Sequence, residues 1–253
     1  HTVWGTNRSK EAVQKALFVG AIQKELTKED LKECDLVIVS LYPEATIDYI
    51  KENASNFKKD AIVMDISGVK RYVCDALYEV AKKNDFVFIG AHPMAGLHLS
   101  GFEHSTAKIF NNSSMILTPY EDTPWGYINT IKELFLKIGF TNIQMSTPDE
   151  HDKIIAFTSQ LAHIVSNAYV KSPNALIHKG FSAGSYKDLT RVAYLNENMW
   201  SELFLENRDN LINEIDSIVN NLVQYKKAME NNDREKLEEL LRDGKILKEQ
   251  IDG

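Results

Sequence analysis

The chain is predicted to be an α/β protein: a doubly wound parallel sheet followed by an all-α domain. Three observations predict this. Short apolar runs alternate with amphipathic helical stretches through roughly the first 147 residues. Some of these runs are apolar at consecutive positions, as in Asp35-Leu36-Val37-Ile38-Val39-Ser40, the pattern of a strand buried on both faces. After Thr147 the strand-like runs stop and helical periodicity takes over.

Taken in order, Thr2-Val3-Trp4 reads as a short strand and residues 10–19 as a helix. The run at 35–40 is the next strand, and a helix follows over 43–53. Ala61-Ile62-Val63-Met64-Asp65 is a strand followed by a helix over 70–83. Strands are expected at 86–90 and at Ser114-Met115-Ile116-Leu117-Thr118, then an amphipathic helix over 123–138 and a last strand at Asn142-Ile143-Gln144-Met145. This alternation implies parallel strands with right-handed crossovers. Thr147-Pro148-Asp149-Glu150 then supplies an N-cap, a proline at the first helical position and the glutamate of a capping box. Helices are expected over 149–171, 174–181, 190–230 and 233–250, which divides the chain into domains 1–147 and 148–253.

A dinucleotide-binding fold opens with a strand, a Gly-x-Gly-x-x-Gly turn and a helix. The sequence has no such motif, and its first strand, running into Gly5-Thr6-Asn7-Arg8-Ser9, resembles the second strand of that fold. The Rossmann-type sheet is therefore expected to lack its first strand and Gly-rich turn, roughly 30 residues.

The 253 residues, 43% hydrophobic and 26% charged, suit a soluble globular chain. A net charge of −7 argues against general nucleic-acid binding, and any anionic substrate must be drawn by local cations. No run is long and apolar enough to span a membrane, and no charged leader opens the sequence. Cys34 and Cys74 show neither metal nor disulfide spacing, so a reducing, cytoplasmic setting is expected. The histidines lack metal-ligand spacing, and no metal is expected.

The most informative segment is Ile89-Gly90-Ala91-His92-Pro93-Met94-Ala95-Gly96. It places a histidine just past a buried strand, where open α/β sheets bind ligands. Pro93 restricts the backbone of His92. A neutral imidazole there can take a proton from a substrate hydroxyl, although a strand-end histidine can also simply cap a turn.

Other segments read more than one way. Asn7, Arg8 and Ser9 stand where a ribose-binding acid is usual, so they suit NADP as well as NAD, or form a solvated turn. Ser40, Leu41 and Tyr42 make a strand-to-helix turn of the kind that lies under the cofactor. Ser67 either reaches the nicotinamide end, orients His92, or caps a helix. Ser159 and His163 share a helix face, as site residues or as a satisfied core pair. Arg191 can grip a carboxylate in a fork, with Asp188 as an N-cap or as its ion-pair partner. Trp200, expected on the same helix as Arg191, can wall an apolar pocket. His151 in a polar first turn, and His104 and His178 without evident partners, carry less weight.

Together these motifs resemble the prephenate dehydrogenase family, the tyrosine-pathway dehydrogenases that include arogenate dehydrogenases. Residues 65–70 resemble the family's Asp-x-Gly-Ser-x-Lys, and residues 90–96 its Gly-Gly-His-Pro-Met-Ala-Gly with Ser100-Gly101 after it. Residues 158–163 resemble Ser-His-Leu-Pro-His, residues 188–193 Asp-Phe-Thr-Arg-Ile-Ala, and Met199-Trp200 the Met-Trp that follows. The resemblance implies a Rossmann domain followed by a helical dimerisation domain, and a homodimer. It implies His92 as the catalytic histidine assisted by Ser67, one place earlier than the family serine. It also implies His163, Arg191, Ser159, Gly184, Asp188, Trp200 and His98 on the substrate side, His98 standing where many members have glutamate.

The implied reaction is oxidative decarboxylation of prephenate, with hydride passing to NADP or NAD and NADP favoured. The alternatives are arogenate as substrate, another two-domain hydroxyacid dehydrogenase, or a non-catalytic nucleotide sensor on the same fold.

Overall fold

The computed structural model describes residues 1–96 and 101–252 of the chain. Two short strands, β1 (Trp4–Gly5) and β2 (Lys24–Glu25), pair in parallel as a separate two-stranded sheet, joined by α1 (Lys10–Phe18). Ser9 caps α1 by accepting the Ala12 amide. The main sheet follows, with β3 (Leu36–Val39), α2 (Pro43–Asn53), β4 (Ile62–Asp65), α3 (Arg71–Lys83) and β5 (Val87–Pro93). It is completed by β6 (Ser114–Thr118), α4 (Trp125–Ile138) and β7 (Asn142–Met145). Its spatial order is β3-β4-β5-β6-β7.

The consecutive apolar residues of these strands exist because both faces are covered. Val63 of β4 joins one core with Val37, Val39, Ile50 of α2 and Leu77 of α3. Its neighbours Ile62 and Met64 join the opposite core with Ile89, Leu117 and Ile131 of α4. Each fully buried aliphatic side chain contributes roughly 1.5–3 kcal/mol relative to exposure. The doubly wound, Rossmann-like expectation is borne out in class.

The strand directions differ in one detail. β5 and β6 are antiparallel, with Gly90 opposite Thr118 and His92 opposite Ile116, whereas the remaining neighbours are parallel. Among the described residues the β5–β6 connection holds only a short 3₁₀ turn, Phe102–His104, and no crossover helix to carry the chain back for a parallel pairing. β5 also runs on to Pro93, past the end of its ladder with β4 at Gly90. His92 therefore lies within the strand, on the part paired only with β6. Gly90 is required there: a Cβ would meet the Thr118 hydroxyl and come within 2.8 Å of the Cys74 sulfur.

After β7 the chain is helical. Thr147 caps α5 (Pro148–Ile155) by accepting the Glu150 amide at 3.2 Å, while the Glu150 carboxylate meets the Ser146 hydroxyl instead of closing a capping box. A π-helical segment, Ala156–Leu161, continues into α6 (Ala162–Tyr169). Between 170 and 206 the expected helices are corrected. Only a 3₁₀ turn forms over Pro173–Leu176, followed by α7 (Gly184–Thr190) and, after a break at 191–196, α8 (Glu197–Glu206). Asp188 is therefore inside α7 and caps nothing, the N-cap position belonging to Ala183. Trp200 lies on a different helix from Arg191 because Asn196 starts α8 afresh, its side chain accepting the Asn198 and Met199 amides.

The chain separates into two compact units, residues 1–207 and 208–253. The second is a helical hairpin, α9 (Arg208–Glu230) and α10 (Arg234–Asp252), in which the Tyr225 hydroxyl donates to the Leu240 carbonyl. No helix of the described residues is long and apolar enough to cross a membrane.

Candidate active site

The carboxyl ends of β4 and β5 meet at a buried cation. Lys70, completely buried, forms an ion pair with Asp65 at the end of β4 and donates to the carbonyl of Ala91 at 2.7 Å. It ties β4 to the residue that precedes His92. Asp65 is further occupied by the Ser67 amide at 3.0 Å and by the Ser67 hydroxyl. Removing one partner of such a buried pair typically costs about 3–5 kcal/mol, because the other charge is left uncompensated.

This geometry corrects the expectation for Ser67. Its hydroxyl is committed to Asp65 and lies 3.5 Å from the Lys70 ammonium, and it makes no hydrogen bond to His92. The group that does reach His92 is His151, with His92 Nδ1 2.9 Å from His151 Nε2. His151 Nδ1 in turn lies 2.7 Å from Asp152 Oδ1. Asp152 also accepts the Lys70 amide at 2.7 Å and the Arg71 amide at 2.9 Å, so it caps α3, which has no side-chain cap of its own. Burial, with the nearby His151 and Lys70 charges, holds His92 well below the usual histidine value of 6.5. Burial also lowers His151, against the opposing pull of Asp152. His92 Nε2 has no hydrogen-bond partner among the described residues.

His151 and Asp152 were not legible as site residues. A signal existed: both share a face of α5 with Ile155, and that face is buried, so a histidine and an aspartate stood on an apolar stripe. A polar clamp holds this helix in place. The buried Asn207 amide donates to the Asp152 carbonyl and to Gln160, each at 2.8 Å, and Gln160 donates to the Leu203 carbonyl at 3.1 Å.

On the helical side, His163 Nδ1 lies 2.8 Å from the Ser159 carbonyl, and its ring packs on Trp200 with centroids 4.1 Å apart. Ser159 thus meets His163 through its backbone. Arg191 sits exposed at the end of α7, and its segment is tethered to α6 by Asn167, whose amide donates to the Ala193 carbonyl at 3.4 Å. The expected Asp188–Arg191 ion pair does not form: among the described residues Arg191 has no carboxylate in ion-pair range. Gly184 opens α7, exposed. His178, read as partnerless, stacks on Tyr186 at 4.4 Å. His98 lies outside the described residues.

At the other candidate region, Asn7 Oδ1 accepts the Ser9 amide at 2.8 Å, which leaves the Asn7 amide protons free to donate. Arg8 and Ser9 are exposed beside it, and Thr6, Asn7 and Ser9 line a cleft of about 630 Å³ faced by Phe102 and Glu103. These donors fit a nucleotide's sugar hydroxyls or a phosphate on them. Ser40, Leu41 and Tyr42 are exposed at the carboxyl end of β3.

Glu202 of α8 caps α2 through the Glu44 amide at 2.8 Å, and its charge, after burial, pushes the neighbouring Glu206 up to about 8. Relative to the ordinary 4.5, this acid holds its proton longer folded than unfolded. Stability is then fully present below pH 4.5 and is lost as pH rises towards 8. Glu206→Gln is expected to raise the melting temperature at pH 9 by several degrees and to leave it unchanged at pH 4. Thermal melts across that range check this, and equal gains at both pH values would contradict it.

A sheet covered on both faces, with its histidine at the carboxyl edge and helices after it, is the frame of a two-domain nicotinamide-dependent dehydrogenase. The chain belongs to the prephenate dehydrogenase family. Residues 1–143 match the family's "prephenate dehydrogenase, nucleotide-binding domain" and residues 147–243 its "dimerization domain". The chain is 30% identical over 241 residues to the prephenate dehydrogenase of Bacillus subtilis, covering 92% of this chain and 64% of that protein. It is 28% identical over 226 residues to the cyclohexadienyl dehydrogenase of Zymomonas mobilis, covering 87% of this chain and 76% of that one. A crystal structure of prephenate dehydrogenase from Aquifex aeolicus, in complex with hydroxyphenyl propionate and NAD+, superposes with a TM-score of 0.80 at 27% identity, covering 99% of this chain and 89% of that one.

Proposed function

We propose that this chain oxidatively decarboxylates prephenate to 4-hydroxyphenylpyruvate, with His92 as general base. The observation that carries this reading is the Nε2 of His92, unpartnered among the described residues, at the carboxyl edge of the sheet, with the other ring nitrogen tied to His151. When bound, the nicotinamide takes up the hydride from C4 of the ring. His92 accepts the C4 hydroxyl proton through Nε2 as that C–H bond breaks. The carbonyl formed at C4 makes C1 able to release its carboxylate as CO2, and the electrons of that bond aromatise the ring. The phenol oxygen then takes back a proton. Positioned general-base help is worth about 10²–10⁴-fold.

Arg191 and His163 are assigned to the substrate's carboxylates, with Trp200 and Gly184 as pocket walls and Ser159 and Asp188 beside them. His163 suits this role because Trp200 and the Ser159 carbonyl fix its ring. Thr6, Asn7, Arg8 and Ser9 are assigned to the ribose end of the cofactor, and Ser40, Leu41 and Tyr42 to its middle. With no acid at positions 7–9, NADP is expected to serve at least as well as NAD, although Glu103 faces the same cleft. We assign these roles to a nucleotide domain 1–147 and a substrate domain 148–253, paired as a homodimer through the helical domain. Ile212, Val219 and Leu222 are exposed along α9, as an apolar interface requires.

Steady-state assays of prephenate and of arogenate, each with NAD and NADP, test the reading. A prephenate-dependent rise in reduced-nicotinamide absorbance is expected. Turnover of arogenate alone would move the assignment to the amino analogue, and turnover of neither would overturn it.

A further inference from the structure

The mechanism above uses one nitrogen of His92 and leaves open what decides that this nitrogen is the one without a proton. An imidazole has two neutral tautomers, and only the one with a lone pair on Nε2 can act as the base. We propose that His151 and Asp152 are positioning residues that hold His92 in the Nδ1–H tautomer, through a directed chain of hydrogen bonds from His92 to His151 to Asp152. This inference rests on the reading of His92 as the base and deepens it.

The direction of the chain follows from its fixed end. Asp152 Oδ1 and Oδ2 already accept the amides of Lys70 and Arg71, so the carboxylate is an acceptor held in place. The Nδ1 of His151, 2.7 Å from Oδ1, must then carry a proton. A neutral His151 with its proton on Nδ1 has only a lone pair on Nε2. His92 Nδ1, 2.9 Å away, must therefore be the donor, and the lone pair of His92 falls on Nε2. Burial disfavours the charged form of both rings, as the chain requires, since a protonated His151 would turn Nε2 into a donor and reverse the last link. The charged and titratable groups acting on the two rings are Asp65, Lys70 and Asp152. Lys70 and Asp65 are paired with each other, which leaves Asp152 as the group that sets direction.

Asp152 also caps α3 through its carboxylate, so its removal would disturb folding as well as direction. His151 is the cleaner target because, among the described residues, its side-chain hydrogen bonds go to His92 and Asp152 alone. His151→Phe keeps the ring volume and removes the acceptor. His151→Gln can place a carbonyl oxygen where Nε2 stood. The phenylalanine variant is expected to lose about 10²-fold in kcat with KM little changed, while the glutamine variant recovers most of that loss. The acid limb of the kcat/KM profile should also move in the phenylalanine variant, a change that a merely structural defect would not produce.

Nitrogen-15 NMR of the unaltered full chain reads the tautomer directly and needs neither substrate nor a variant that folds. A protonated His92 Nδ1 with an unprotonated Nε2 at neutral pH is the expected result. The opposite tautomer overturns the inference, as does a phenylalanine variant with normal kcat, or a glutamine variant no better than phenylalanine. Failure of the parent protein to turn over prephenate or arogenate would strike the proposed function and leave the tautomer measurement standing.

Discussion

Replacing His92 with asparagine is expected to lower kcat by about 10²–10⁴-fold with little change in cofactor binding. Asparagine separates the two jobs of the ring. Its amide nitrogen can stand near the position of Nδ1 and keep the bond to His151, while the distal nitrogen is lost. The backbone is held independently, by the pairing of His92 with Ile116 and by the Lys70 bond to Ala91. The variant should therefore fold, bind cofactor and fail at proton transfer. Single-turnover absorbance measurements, with cofactor affinity measured separately, check this. A near-normal kcat would remove His92 from the mechanism. In the parent enzyme the low pKa of His92 places the acid limb of kcat/KM below pH 6.5, since the neutral base persists until acid overcomes its burial.

Arg191→Ala is the second large effect, expected mainly as a rise in KM. Losing a charge-assisted grip on a carboxylate costs about 2–5 kcal/mol, roughly 30-fold to several thousand-fold in affinity. The competing explanation, a structural ion pair with Asp188, is not made: among the described residues no carboxylate lies in ion-pair range of Arg191. Arg191 is exposed, so its removal should leave the melting temperature within the small range of surface changes. An unchanged KM would free Arg191 from substrate binding.

How much of this was legible varies with the kind of information involved. The His92 segment could be read because strand, glycine, histidine and proline are adjacent in the chain, and local sequence encodes local backbone. The cap at Thr147 and the buried strands were legible for the same reason. That Ser67 does not orient His92 could not be read locally, because hydroxyls bond whatever packing brings near, and here the Lys70–Asp65 pair holds it. The loss of helix at 177–181 and the break at 191–196 were missed because apolar residues continue through them, while Asn196 restarts the helix with its own cap.

By itself, the sequence determined the class of fold, the family and the histidine at the sheet edge, all of which depend on short-range pattern or on ordered motifs. Only the tertiary structure decided the direction of β6, which hydropathy does not encode, since an apolar strand can pair either way. Only it decided the partner of His92. His151 is 59 residues away, and it reaches that ring because Asp152, as an anion against the start of α3, docks α5 at the carboxyl end of the sheet. A hydrogen bond acts over about 3 Å, so its partners are set by how the elements pack, which no local reading of the chain contains.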